Sequence, residues 1–294
     1  MPSQRFLSAL LLLLAAHAAH AQSTLIVGDG FSGPPGAITG QSGGYGWQAG
    51  KNWTSSNAST PDQVTSGGLS FSQGGQTLAV SGGKLTTVGG DVGAYRRPPT
   101  DFGNYGGAVN QDIWIGFLAS NTTADMASSY AGLSLFNASE QFFVGVLYGT
   151  DAYGFQNTSV NGPDGAPQVV SSALAAPDRQ THFLVTHFSF TASGTTEVTL
   201  YVDPTPGLDI AQNPVLDKVY TTGFQFNEIR FQSGSDASGA AYPYNFDELR
   251  MGGTYLDVAP VAAPEPSSFA VFGLGLLSLS VLAVKARKRT GLAR

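Results

Sequence analysis

Two histidines, His182 and His187, stand between residues 22 and 258, and none of the 294 residues is a cysteine. Without cysteine there is no thiol nucleophile, no iron–sulfur cluster and no cysteine-based zinc site. The histidines lie in an alternating stretch, and residues five apart on a strand point to opposite faces. They therefore cannot hold one metal ion between them. Either could serve a Ser-His-Asp system, but the Gly-x-Ser-x-Gly string at Gly40 to Gly44 lies in a glycine-rich stretch that reads as loop, not at a strand-to-helix elbow, which favours a purely structural role.

Carboxylates are the other route to chemistry. Glycoside cleavage needs two carboxyl groups roughly 5–9 Å apart, and acids alternating along one strand would line one cleft. Asp247 and Glu248 are instead adjacent, which predicts opposite faces, while Glu140 and Glu228 stand alone. The pattern argues against a glycosidase. Asp91, Asp101, Asp112, Asp236 and Asp247 offer hard oxygen ligands for calcium, but no loop has the spacing of an EF-hand. The metal assignment therefore stays open.

The aromatic residues Tyr45, Trp47 and Trp53 sit in a glycine-rich stretch without periodicity. Sugar C–H faces stack on exposed aromatic rings, so these three are candidates for a glycan platform. The alternative is that one or both tryptophans plug the end of a hydrophobic core.

The elements that must position these residues are strands. Ile113 to Leu118 is an apolar run of buried-strand type, followed by Leu133–Phe136 and Gln141–Tyr148 around a turn at 137–140. His182 to Phe190 and Val198 to Val202 alternate on either side of Thr191–Thr195, which predicts a hairpin. Phe224 to Phe231 and Phe246 to Met251 supply further strands. Residues 32–60 and 149–177, rich in Gly, Ser, Asn and Pro, read as long loops. Many short antiparallel strands predict a two-sheet sandwich.

Charge separates the chain into regions. All 20 acidic residues fall between residues 22 and 266, together with eight basic ones, so this region carries a net −12. Such a surface is a poor partner for nucleic acid, which binds through neutralised phosphates.

The two ends carry targeting grammar. Arg5 precedes an apolar run from Phe6 to Ala16, and Ala19-His20-Ala21 presents small residues where signal peptidase inspects the chain. This predicts cleavage after Ala21. At the other end, the uncharged stretch from Ser267 to Val284 is 18 residues long, enough to cross a hydrocarbon core of about 30 Å as a helix. Lys285, Arg287, Lys288 and Arg289 follow it and belong on the cytoplasmic side. Just before the span stands Pro264-Glu265-Pro266, whose prolines hold the backbone extended.

Pro264 to Arg289 resembles, in all three parts, the sorting tail of the PEP-CTERM proteins of bacteria with a Gram-negative-type envelope. The resemblance implies recognition by an exosortase, a membrane cysteine transpeptidase that cuts near Pro264-Glu265-Pro266. It also implies transient anchoring in the inner membrane and a final place at the cell surface or in the extracellular matrix. A second resemblance rests on Phe31-Ser32-Gly33, Gly43 to Trp47, Phe246 to Gly252, Tyr255 and Val258. These pieces are similar to the first and last strands of LamG-like, concanavalin A-like jelly rolls. That likeness implies paired terminal strands and a concave face of the kind that binds glycans in relatives.

The expected organisation is a signal peptide over 1–21, an all-β jelly-roll ectodomain over 22–258, a linker with the sorting motif over 259–268, a transmembrane helix over 269–284 and a basic tail over 285–294. The expected function is a non-catalytic, lectin-like surface protein contacting exopolysaccharide. The alternatives are a polysaccharide hydrolase or lyase on the same fold, and an inert coat protein.

Overall fold

The computed structural model describes residues 24–99, 104–122, 129–150, 152–161, 167–175, 178–213, 217–235 and 242–263. The signal-cleavage residues Ala19 and Ala21, the sorting motif Pro264, Glu265 and Pro266, the apolar span and the basic Lys285, Arg287, Lys288 and Arg289 lie outside the described residues. So do Asp101 and Asp236. Among the described residues no helix is long and apolar enough to cross a membrane.

The strands in chain order are β1 (Leu25–Asp29), β2 (Gly36–Ala37), β3 (Thr54–Ser55), β4 (Gln63–Thr65), β5 (Ser72–Gln73), β6 (Gln76–Thr77), β7 (Lys84–Thr86), β8 (Gly93–Arg96), β9 (Tyr105–Gly106) and β10 (Gln111–Asn121). There follow β11 (Ser129–Asn137), β12 (Ser139–Leu147), β13 (Ala152–Asn161), β14 (Pro167–Ala175), β15 (His182–Phe190), β16 (Thr195–Val202), β17 (Asp217–Thr222), β18 (Gln225–Phe226), β19 (Glu228–Ser235) and β20 (Tyr244–Gly252). One helical turn, α1 (Tyr255–Val258), closes the series.

These strands build an antiparallel β-sandwich. The first sheet runs β17-β16-β15-β10-β20-β7-β4-β2, with β1 also paired to β20. The second runs β14-β13-β12-β11-β19-β8-β3. Inward-facing residues of both sheets share one core, which includes Ile113, Ile115 and Phe117 of β10, Leu184 and Phe188 of β15, Phe142 and Val144 of β12, and Phe231 of β19. Phe142 lies between Phe155 and Phe224, with ring centroids 5.3 and 5.4 Å away. Each such ring contributes about 1.5–3 kcal/mol by leaving water.

The unbroken apolar run in β10 has a direct cause. A second apolar cluster covers the outer face of the first sheet, joining Trp114 and Leu118 of β10 and Phe183 and Val185 of β15 to Phe71, Leu78, Tyr255, Val258 and Ala259. Central strands here are buried on both faces, so alternation gives way to continuous hydrophobicity. Helical turn α1 is held by a capping box between Thr254 and Asp257.

Three expectations change. The 149–177 stretch is not one long loop, because β13 and β14 within it extend the second sheet at its edge. β13 pairs with β12 on one side and β14 on the other, which draws both strands into the sheet despite a composition that reads as turn. The turn at 137–140 is tighter than expected: pairing resumes at Ser139, with Ala138 alone in the left-handed region at φ 62°. Finally, Ala259 to Val261 is not free linker. Gly207 N donates to Ala259 O, Ala79 N donates to Pro260 O, and Val261 bridges Leu78.

Candidate functional site

The second sheet turns its other face away from the core, and register decides which side chains meet there. Phe231 points inward from β19, so Arg230 and Gln232 point outward. Ser134 on β11 stands opposite Arg230. Glu140 joins them from β12 because a bulge between the β11 and β12 registers shifts it opposite Phe136.

These side chains converge on one oxygen. Glu140 Oε2 accepts from Ser134 Oγ at 2.7 Å and from Gln232 Nε2 at 3.4 Å, and it is ion-paired with Arg230 Nη2. Arg230 Nη2 also donates to Ser134 Oγ at 3.1 Å, and Nη1 donates to Tyr95 Oη at 3.1 Å. The guanidinium carbon lies 4.4 Å from the Phe136 ring centroid and 5.5 Å from that of Tyr95. Its Nε is buried with no partner among the described residues. Nearby, Tyr130 donates to Asp91 Oδ1 at 2.7 Å, and burial with that bond pushes the phenol well above its usual range.

Glycines leave room for these large groups. In register across five strands run Gly93, Gln232, Gly132, Gly145 and Gly154. A methyl at Gly93 would sit 2.8 Å from Arg230 Cδ, and one at Gly132 would sit 2.8 Å from the Phe143 ring. The face thus carries rings packed edge to face, Tyr95 against Phe136 at 76° and Tyr130 against Phe143 at 80°, with the Arg230 guanidinium over Phe136. Gly145 has a further constraint, with φ at +151° and space that would bring a Cβ 2.2 Å from Ala131 O. Gly145→Ala is expected to lose roughly 1–3 kcal/mol of stability in urea melts, and a loss below 0.5 kcal/mol, about the scale of a neutral surface change, would refute the close approach.

The expected aromatic platform is divided. Trp53 is 1% exposed in the core. Its Nε1 donates to Asp29 Oδ2 at 2.8 Å, and Arg96 Nη1 reaches the same oxygen at 2.9 Å. Arg96 also donates to the carbonyls of Ser42, Gly43 and Lys51, so this buried knot ties the 41–53 loop to β1 and β8. Trp53 therefore plugs the core and offers no ring face to a sugar. Trp47 is half-buried, with Arg96 4.6 Å over its ring, and it lines a hollow of about 230 Å³ with Gln48, Lys51 and Asn52. Tyr45 is 63% exposed.

Two readings of the carboxylates are corrected. Asp247 and Glu248 do not face opposite ways. Phe246, Leu249 and Met251 all reach the core, so a bulge opposite Phe117 leaves both acids on the outer side. Glu248 sits at φ 50° within it. Asp247 accepts from Leu69 N at 2.7 Å, and Glu248 bonds Ser81 N and Arg250. Glu140 and Glu228 do not stand alone either: they flank Phe136 on two neighbouring strands, and Glu228 accepts from Arg97 Nε at 3.3 Å. A local reading of β12 could not reveal this, because nothing in 139–147 indicates which strand becomes its neighbour but one.

The remaining candidates are scattered. His182 binds Asp203 at 2.8 Å and Asp178 at 3.1 Å, whereas His187 binds Asp112 at 2.9 Å and stacks on Trp114. Burial opposes the His182 charge, but Asp203 and Asp178 prevail and raise its pKa. Asp91, Asp112 and Asp247 lie on different elements with different partners, and among the described residues no three acids or histidines group to hold a metal ion.

No family model and no curated protein matches this chain. Among solved structures it is similar to the binding domain of Paraclostridial Mosquitocidal Protein 1, at 9% identity and a TM-score of 0.48, covering 80% of this chain and 50% of that one. It is similar at 10% identity and a TM-score of 0.49 to the binding domain of botulinum neurotoxin serotype D/C, with the same coverage. A third is the endo-β-1,4-glucuronan lyase of the fungus Trichoderma reesei, at 12% identity and a TM-score of 0.43, covering 80% of this chain and 98% of that one. The chain thus spans about half the length of the two toxin binding domains it matches.

Proposed function

We propose that this chain is an exported bacterial protein, sorted by an exosortase at Pro264-Glu265-Pro266, whose jelly-roll sandwich of the concanavalin A type contacts exopolysaccharide without cleaving it. The tail from Pro264 to Arg289 supports the sorting, with signal peptidase acting earlier after Ala21. The observation that carries the glycan reading is the face around Arg230, where the half-buried Tyr95 and Phe136 rings lie beside hydrogen-bonding groups. Sugars match such a surface, because their C–H faces stack on rings while their hydroxyls meet fixed donors.

The non-catalytic reading rests on the same geometry. Hydrolysis needs one carboxyl group to give a proton and another to act as base or nucleophile. On this face Glu140 is engaged by Arg230 and Glu228 by Arg97. Neither is left to meet a glycosidic oxygen.

Two measurements on the protein from its native host test the proposal. Intact mass should place the mature C-terminus near Pro266, with or without an added group. Affinity electrophoresis against the host's exopolysaccharide should show retardation, without release of reducing ends or unsaturated sugars. A mass that retains the span through Arg294 removes the sorting claim, and polymer cleavage removes the non-catalytic one.

A further inference from the structure

The donors on the second sheet's outer face form a receptor for a carboxylate, and the chain already fills it. Arg230 Nη2, Ser134 Oγ and Gln232 Nε2 all reach Glu140 Oε2. An arginine with a hydroxyl and an amide around one carboxylate oxygen is the arrangement expected for recognising an acidic ligand. Here the acid comes from β12, two strands from the β19 that carries Arg230 and Gln232, held in place by the bulge between Leu135 and Phe136. Ser134 is buried and Gln232 is nearly so, so the nest is built into the sheet and is not a chance meeting of surface side chains.

We infer that Glu140 is a specificity-determining residue which stands in for a ligand carboxylate, so that the face accepts uncharged polysaccharide and rejects polyuronates. This deepens the glycan reading above and rests on it. A uronate arriving at Arg230 would have to displace Glu140 or sit beside it, and like charges in a partly buried site repel strongly. A neutral sugar needs no such exchange. It packs against the half-buried Phe136 and Tyr95 and gives its hydroxyls to the part-exposed carboxylate of Glu140.

The region's net charge of −12 would also repel a polyanion, so the test separates the two causes by salt. Binding of a neutral glucan and of alginate is measured by affinity electrophoresis in 0.5 M NaCl, where long-range repulsion is screened within about 4–5 Å. The wild type should hold the glucan at least tenfold more tightly. Glu140→Ala should lose that discrimination and gain alginate binding at least tenfold, and 50 mM acetate should raise its melting temperature but not that of the wild type. Should Glu140→Ala fail to fold, Glu140→Gln decides, because it removes the charge and keeps the volume. It should reduce the discrimination at least threefold.

Equal binding of alginate and glucan by the wild type overturns the inference and leaves the glycan reading standing. So does a folded Glu140→Ala or Glu140→Gln with unchanged discrimination. No binding of any polymer by the wild type overturns the glycan reading itself, and this inference with it.

Discussion

Asp29→Ala should cost about 3–5 kcal/mol of folding stability, the range for removing one partner of a buried ion pair. The side chains of Asp29 and Arg96 are only 2% and 3% exposed. Burial works against both charges, raising the carboxyl pKa and lowering that of the guanidinium, while their mutual attraction opposes both shifts. Taking the carboxylate away strands the Arg96 charge, leaves Trp53 Nε1 without its acceptor, and removes the bond from Phe31 N. For a domain of this size the loss corresponds to a fall of roughly 6–20 °C in melting temperature. The double change Asp29→Leu with Arg96→Met should be milder than Asp29→Ala alone, because no unpaired charge remains. A single-mutant loss under 1 kcal/mol in urea would show that the knot is replaceable. It would also detach the 41–53 loop from the argument that Trp53 is structural.

The second large effect is on pH. Asp62 is fully buried, its Oδ1 accepts from Val88 N at 2.9 Å, and its Oδ2 has no partner among the described residues. Burial raises its pKa from 3.8 to about 7, and burial likewise raises Asp247 to about 8. Both shifts go the same way. Between the ordinary carboxyl value and the raised one, the folded state holds a proton that the unfolded chain has lost. Stability therefore falls as pH rises from about 4 to about 8, and levels off once both groups are ionised in the fold. For Asp62 the shift is equivalent to a loss of up to about 4 kcal/mol. Asp62→Asn keeps the acceptor for Val88 N and cannot ionise. Its stability should match the wild type near pH 4 and exceed it by about 1–4 kcal/mol at pH 8. Urea melts of both proteins at pH 4.5, 6 and 8 check this, and parallel curves would falsify it.

The hydrophobic period of β15 and β16 was legible because each strand's inward face is specified by its own residues. Leu184, Phe188 and Phe190 face one way whatever β15 pairs with. The proposed signal peptide and sorting tail would be local information too, because such segments are read by enzymes as linear chain. The hairpin at Thr191–Thr195 belongs here too, because its register follows from the turn.

What the sequence could not decide was anything that depends on a neighbour or on one extra residue. The alternation rule placed Asp247 and Glu248 on opposite faces, and a single bulge opposite Phe117 reversed it. Trp53 shares its composition and surroundings with Tyr45, yet one is in the core and the other is 63% exposed, because only Trp53 meets Asp29 and Arg96. The receptor around Glu140 draws on β8, β11, β12 and β19, with up to 135 residues between members. Local residue types set the strands, through forces that act within a few residues. Sheet order and bulges set the site, because they alone determine which distant side chains share a face.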